Sequence, residues 1–132
     1  MTDVANVFRV ILQVSDLEKA VEFYSKLFDA KGRRIRGARH YFDCGSVILA
    51  IVDPTSDGEK AKKTPDYLYL AVRDLEKVHA RARSLGCLSK EKVHEDPAGD
   101  IVTRPWGERS FYAEDPWQNP LCFVEEGTVY AG

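Results

Sequence analysis

Arg9 stands inside an apolar run, and that placement raises the first chemical question about this chain. From Phe8 to Val14 the sequence alternates, with Val10, Leu12 and Val14 on one face and Arg9, Ile11 and Gln13 on the other. A guanidinium facing a cavity needs a partner, because an unpaired buried charge is costly. The partner is either an internal carboxylate, with Glu108, Glu114 and Glu125 as candidates, or the anionic group of a ligand. The planar fork of arginine grips a carboxylate with two hydrogen bonds. Gln13, on the same face, is a neutral polar group suited to orienting a ligand.

Three histidines are present. His79 falls on a helical pattern and is expected to be exposed. His94 precedes Glu95 and Asp96 at the edge of a loop; with His40 they form either a divalent metal site or a solvated polar cluster, and no spacing rule joins them. Cys122 would be nucleophilic only if a base or cation lowered its pKa. Arg9 could supply the cation but no histidine is placed as base, so an inert buried thiol is expected. Tyr67, Tyr69 and Trp106, joined by Phe111 or Tyr112, offer flat apolar faces with polar tips, either as core or as cavity walls. Arg109 is either a ligand contact or a surface salt bridge.

The elements that must position these residues occur twice. Val14-Ser-Asp-Leu-Glu-Lys19 returns as Val72-Arg-Asp-Leu-Glu-Lys77, each copy ending an apolar run and opening a helical pattern. Asp16 and Asp74 are natural helix N-caps. Leu17, Ala20, Val21, Tyr24, Leu27 and Phe28 follow the spacing of one helix face, with Gly32 as its stop; Leu75, Val78, Ala82 and Leu85 follow that of another, with Gly86 at its end. Strands are predicted at 33–36, 40–44 and 46–52, then at 67–72, 88–94, 101–104, 110–114 and 120–125, with a loop over 95–100. The polar stretch from Asp53 to Lys63 reads as a linker. One domain of two βαβββ modules results, α+β in class: about 6–53, a linker at 54–64, and about 65–126. Helices are expected on the outer faces, with the opposite sheet faces curving around a cavity.

The chain has 132 residues, 44 % hydrophobic and 30 % charged, with a formal charge of −2. That composition suits a soluble globular protein. No basic stripe is present to follow a phosphate backbone, which argues against nucleic acid, and no apolar run is long enough to span a bilayer. The N-terminus lacks signal-peptide features, and three scattered cysteines suggest neither zinc nor disulfides, so a cytoplasmic location is expected.

The paired modules with their Val-x-Asp-Leu-Glu-Lys openings resemble the vicinal oxygen chelate superfamily of glyoxalases, bleomycin-resistance proteins and extradiol dioxygenases. Glu22-Phe-Tyr-Ser-Lys-Leu-Phe28 is similar to the family's first helix, and Trp106-Gly-Glu-Arg-Ser-Phe-Tyr112 resembles a segment of the bleomycin-resistance branch. Asp115-Pro-Trp-Gln-Asn-Pro-Leu-Cys-Phe123 resembles the closing segment, with Gln118 where glycine is usual, so a different turn type is expected there. The resemblance implies a homodimer and a small-molecule ligand. It also implies metal-ligand positions, which fall on Arg9, Tyr67, Cys122 and, near the end of the first module, Leu49. These residues do not make a hard-metal site, so no cofactor is expected. The leading expectation is a metal-independent binding protein for a small anionic or aromatic molecule, with drug sequestration as one version of it. Arg9, Gln13, Leu49, Tyr67, Tyr69, Trp106, Arg109 and Cys122 are its candidate contacts. The alternative is a metal-dependent lyase, isomerase or dioxygenase with relocated ligands; a module with a self-filled cavity is a third reading.

Overall fold

Both repeated segments open helices, for the same local reason. In the computed structural model, which describes residues 4–132, α1 spans Leu17–Phe28 and α2 spans Leu75–Ser84. Asp16 Oδ1 accepts the amide of Lys19 at 3.1 Å, and Asp74 Oδ1 accepts that of Lys77 at 3.2 Å. Each cap satisfies a first-turn amide that has no carbonyl partner, which stabilises a helix by about 1 kcal/mol. The first helix does not run to Gly32. Asp29 stops it by adopting a left-handed conformation, φ 52°, with its amide on the Ser25 carbonyl. Gly32 answers a different need: a Cβ there would lie 2.6 Å from the Tyr41 carbonyl oxygen.

The chain divides into two compact units that meet between Lys63 and Thr64. In the first, β1 (Arg9–Gln13), β2 (Arg33–Ile35), β3 (Arg39–Cys44) and β4 (Val47–Val52) form a sheet of order β1-β4-β3-β2. In the second, β5 (Leu68–Val72) is followed by a separate hairpin, β6 (Lys92–Val93) with β7 (Asp96–Pro97). Then β8 (Val102–Thr103), β9 (Arg109–Glu114) and β10 (Pro120–Glu125) complete a sheet of order β5-β10-β9-β8. Strand order and direction repeat: β1 pairs β4 in parallel as β5 pairs β10, and the remaining pairs are antiparallel. Each unit is thus a βαβββ module, and the second carries an inserted hairpin.

In each unit one sheet face is covered by that unit's helix. Leu12, Phe42, Leu49 and Ile51 are buried together with Tyr24 and Leu27 of α1, and Phe42 meets the rings of Tyr24 and Phe28. In the second unit Phe111 and Phe123 stack at 5.2 Å, buried with Leu75 of α2 and Leu121. Each such side chain removed from water contributes roughly 1.5–3 kcal/mol.

Three local expectations change. The stretch expected as a strand over 88–94 and a loop over 95–100 folds instead around a two-residue turn, His94-Glu95, with φ 50° and 71° at its centre. Two positive φ values give the twist that suits a tight hairpin. His79 is half-buried, not exposed; its Nε2 lies 2.8 Å from the Gly99 carbonyl and its ring meets Phe111 edge-on. The closing turn keeps its left-handed residue despite the missing glycine, with Gln118 at φ 68°. Asp115 holds it there: Oδ1 accepts the amides of Trp117 and Asn119 at 2.9 and 2.8 Å, and Oδ2 accepts Asn119 Nδ2 at 2.8 Å.

Candidate functional site

The helix-free face of the second sheet carries the densest chemistry. Pairing register sets Tyr69, Cys122 and Tyr112 in one row across β5, β10 and β9, and Ala71, Val124 and Ser110 in the next. Tyr112, not Phe111, is therefore the aromatic residue that joins Tyr67 and Tyr69 here. The Tyr67 and Tyr112 rings meet edge-on at 4.9 Å. Ala98, Tyr112, Cys122 and Val124 form a buried cluster, with Tyr67 and Val93 packed against it. Burial dominates the acid–base behaviour of the row. It pushes the Cys122 thiol up to about 11 against the opposing hydrogen bonds of Ser110 and Tyr112, and the Tyr112 phenol up to about 12. Tyr67 and Tyr69 are also raised, first by burial. The thiol stays protonated near neutrality and has no use as a nucleophile.

Arg104, which the sequence pattern did not single out, lies against the Tyr112 ring of this cluster and is 2 % exposed. Its Nε donates to Ser110 Oγ at 3.0 Å and its Nη2 to the Ser110 carbonyl at 3.1 Å, while the guanidinium sits 5.0 Å from the Tyr112 ring centre. Nη1 has no hydrogen-bond partner among the described residues.

Beyond the row, a cleft of about 440 Å³ opens on the same unit, lined by Tyr69, Ala71, Trp106, Glu108, Val124 and Tyr130 among others. Its walls are aromatic and accessible: Tyr69 is 60 % exposed, Trp106 37 % and Tyr130 61 %. Glu108 joins two of them. Its Oε1 accepts the Trp106 indole N–H at 2.8 Å and its Oε2 accepts the Tyr130 amide at 2.9 Å. His94, at the tip of the β6–β7 hairpin, braces the indole edge-on at 5.4 Å. Glu108 was legible in principle, since 108, 110 and 112 alternate with the apolar Phe111; Tyr130 lies beyond the last strand, where no periodicity marks it.

On the first unit, the helix-free face holds Arg9 and Gln13. Arg9 Nη1 and Arg39 Nη1 approach the Tyr41 hydroxyl at 3.5 and 3.4 Å, and the Arg33 guanidinium lies 5.7 Å from the Tyr41 ring centre. Arg39's hydrogen bond, aided by the charge of Arg9, draws the Tyr41 phenol below its usual pKa. Arg33 is paired with Asp43 at 2.7 Å, whereas Arg9 lies over the Phe8 ring. Within the first unit, no carboxylate of the described residues comes within ion-pair distance of Arg9. Gln13 Oε1 accepts the Lys62 amide at 2.8 Å, which ties the segment after β4 back to β1.

Two candidates lie elsewhere. Leu49 pairs with Val10 and Phe42, and its side chain is buried on the α1 side of the sheet, the face opposite Arg9. Arg109 is on the α2 side, paired with Glu76 of that helix and with Glu125 at 3.3 Å; the Glu76 hydrogen bond raises the Arg109 pKa and depresses that of Glu76. One-residue alternation sends both away from the free faces. His40 is likewise buried on the helix side, its Nε2 2.8 Å from the Lys31 carbonyl. His94 is at the hairpin tip of the second unit, and among the described residues no three His, Cys, Asp or Glu side chains are grouped to hold a metal ion. The positions where a metal would be expected offer a cation, a leucine on the other face, and a phenol and thiol that keep their protons. These donors do not fit a hard divalent ion.

A model of the Glyoxalase/Bleomycin resistance protein/Dioxygenase superfamily matches residues 6–123. The sequence matches no curated protein. Among solved structures, a glyoxalase/bleomycin resistance protein from Albidiferax ferrireducens T118 is 22 % identical with a TM-score of 0.72, covering 89 % of this chain and 97 % of that one. A lactoylglutathione lyase from Agrobacterium tumefaciens is 19 % identical with a TM-score of 0.69, covering 99 % and 100 %. The oxidase ChaP-H2 is 20 % identical with a TM-score of 0.73, covering 97 % and 98 %. At these identities the likeness carries the fold and leaves the chemistry to the residues themselves. With two modules of one strand order, and a family model spanning nearly all of both, this chain belongs to the Glyoxalase/Bleomycin resistance protein/Dioxygenase superfamily.

Proposed function

We propose that this chain is a small-molecule binding protein whose ligand presents a flat, apolar surface to the cleft of the second unit. The observation that carries the reading is the tether at Glu108. One carboxylate fixes both Trp106 and Tyr130, so the aromatic walls are ordered before a ligand arrives and less entropy is lost on binding. Lyase and oxidase activities named for structural neighbours are not carried over, because the donors a metal would need are not at the expected positions. The test follows the two tryptophan indole N–H signals while small aromatic compounds are titrated into the full chain. A ligand should shift the Trp106 signal, and Trp106→Ala should lose that ligand while keeping the fold. A compound bound equally well by Trp106→Ala would sink the reading.

The first unit supports a second reading, an anion anchor. Arg9 and Arg39 converge on one phenol, and among the described residues of the first unit neither is paired with a carboxylate, an arrangement that suits an anionic group. Arg9→Ala should then abolish binding of a small aromatic acid and leave the thermal midpoint unchanged; unchanged affinity would remove Arg9 from any site. The homodimer belongs to the same proposal, supported by exposed Val7, Phe8 and Ile11 at and before β1. Light scattering across a concentration series checks it. No helix among the described residues is long and apolar enough to cross a membrane.

A further inference from the structure

We propose that the cleft selects organic cations, specifically a quaternary or protonated ammonium carried beside a flat group. The inference rests on reading the cleft as the ligand site and names the charge of what enters it. Three exposed aromatic rings, Tyr69, Trp106 and Tyr130, share the cleft with the Glu108 carboxylate, and among the described residues no lysine, arginine or histidine lines it. The faces of aromatic rings carry negative electrostatic potential and attract cations, most strongly at tryptophan. The hydrogen bond from the indole to a carboxylate enriches that ring further.

The carboxylate itself is held in place. Each Glu108 oxygen accepts one N–H, leaving lone pairs free on both, so the negative charge stays at the cleft wall while remaining available to a ligand. A substituted ammonium also suits the remaining lining. Ala71, Val124 and Val129 accept methyl groups, and each alkyl group on the nitrogen lowers the hydration the cation must give up. An aromatic acid would instead bring its charge against Glu108. Arg104 is closed to solvent and turned toward Ser110 and the Tyr112 ring, and it does not line the cleft.

The test compares three probes of similar size on the full chain: phenyltrimethylammonium, its neutral near-isostere 2-phenylpropan-2-ol, and benzoate. Affinity is read by calorimetry and the site by the Trp106 indole signal. The cation should bind roughly fivefold to thirtyfold more tightly than the alcohol. Glu108→Gln, whose amide oxygen can accept only one of the two N–H groups, should weaken both probes but narrow the ratio between them several-fold. Tyr69→Leu, which leaves Glu108 and its two hydrogen bonds untouched, should weaken the cation more than the alcohol. If the alcohol or benzoate binds as tightly as the cation while shifting the Trp106 signal, the charge preference is overturned and the cleft remains the ligand site. If none of the three moves that signal, both the preference and the cleft reading are overturned. A Trp106 signal that moves with protein concentration alone would mean that a second copy of the chain fills the cleft, which also overturns the proposal.

Discussion

Cys122 and Tyr112 face each other across β10 and β9, thiol beside phenol, in the same row as Tyr69. Their proximity is a consequence of packing. Both groups hold their protons tightly because the cluster around them, closed by Ala98 and Val124, excludes water that would solvate an anion.

Stability should therefore fall at alkaline pH. Burial raises Cys87 and Cys122 from 9.0 to about 11 in the folded chain. The unfolded chain thus gives up these protons at lower pH than the folded one. The stabilisation is complete below about 9 and is lost as pH climbs through 11. Urea midpoints measured from pH 7.5 to 11 should decline above 9, with a shallower decline in Cys122→Ala. Identical slopes in the two proteins would refute the burial argument.

Gln118→Gly should stabilise the chain. A left-handed conformation disfavours any residue with a Cβ by roughly 1–2 kcal/mol, and Gln118 holds φ 68° because Asp115 ties the amides on either side. Glycine relieves that strain but adds freedom to the unfolded chain, so a net gain of about 0.5–1 kcal/mol is expected. A lower thermal midpoint for Gln118→Gly would show that the glutamine side chain contributes contacts of its own.

Arg104 and Ser110 give a paired prediction. Arg104→Met removes a buried charge with one unpartnered nitrogen and keeps its volume, so it should be neutral or stabilising by up to about 2 kcal/mol. Ser110→Ala strips the guanidinium of a side-chain acceptor and should destabilise by about 1–3 kcal/mol. Combining the two should recover most of that loss, measured by denaturant unfolding. A strongly destabilised Arg104→Met would mean that the charge on the Tyr112 ring matters more than its burial penalty.

Leu49→Ala should cost about 2–5 kcal/mol of stability through the cavity it leaves under α1. It should leave affinity in the second-unit cleft unchanged, since Leu49 points to the opposite face of a different sheet. A loss of affinity without loss of stability would put Leu49 back among the ligand contacts.

The sequence by itself determined the elements whose causes are local. Asp16 and Asp74 cap the helices because an aspartate oxygen reaches its own first turn, and the alternation in 9–13 and 68–72 marks strands because side chains there point to opposite faces. The repeat of one motif announced two like modules, and the spacing of Tyr67 and Tyr69 put both rings on one face of the strand, where they lie 6.4 Å apart. Tertiary structure decided which face each remaining candidate occupies. Leu49 and Arg109 differ from true free-face residues by a single step in register, and register is fixed by pairing with strands distant in sequence. It also brought Tyr130 to Glu108, 22 residues away, and buried Arg104 with one guanidinium nitrogen unpartnered among the described residues. Neither outcome has a periodic signature, because both depend on how separate segments pack and not on the neighbours of any one residue.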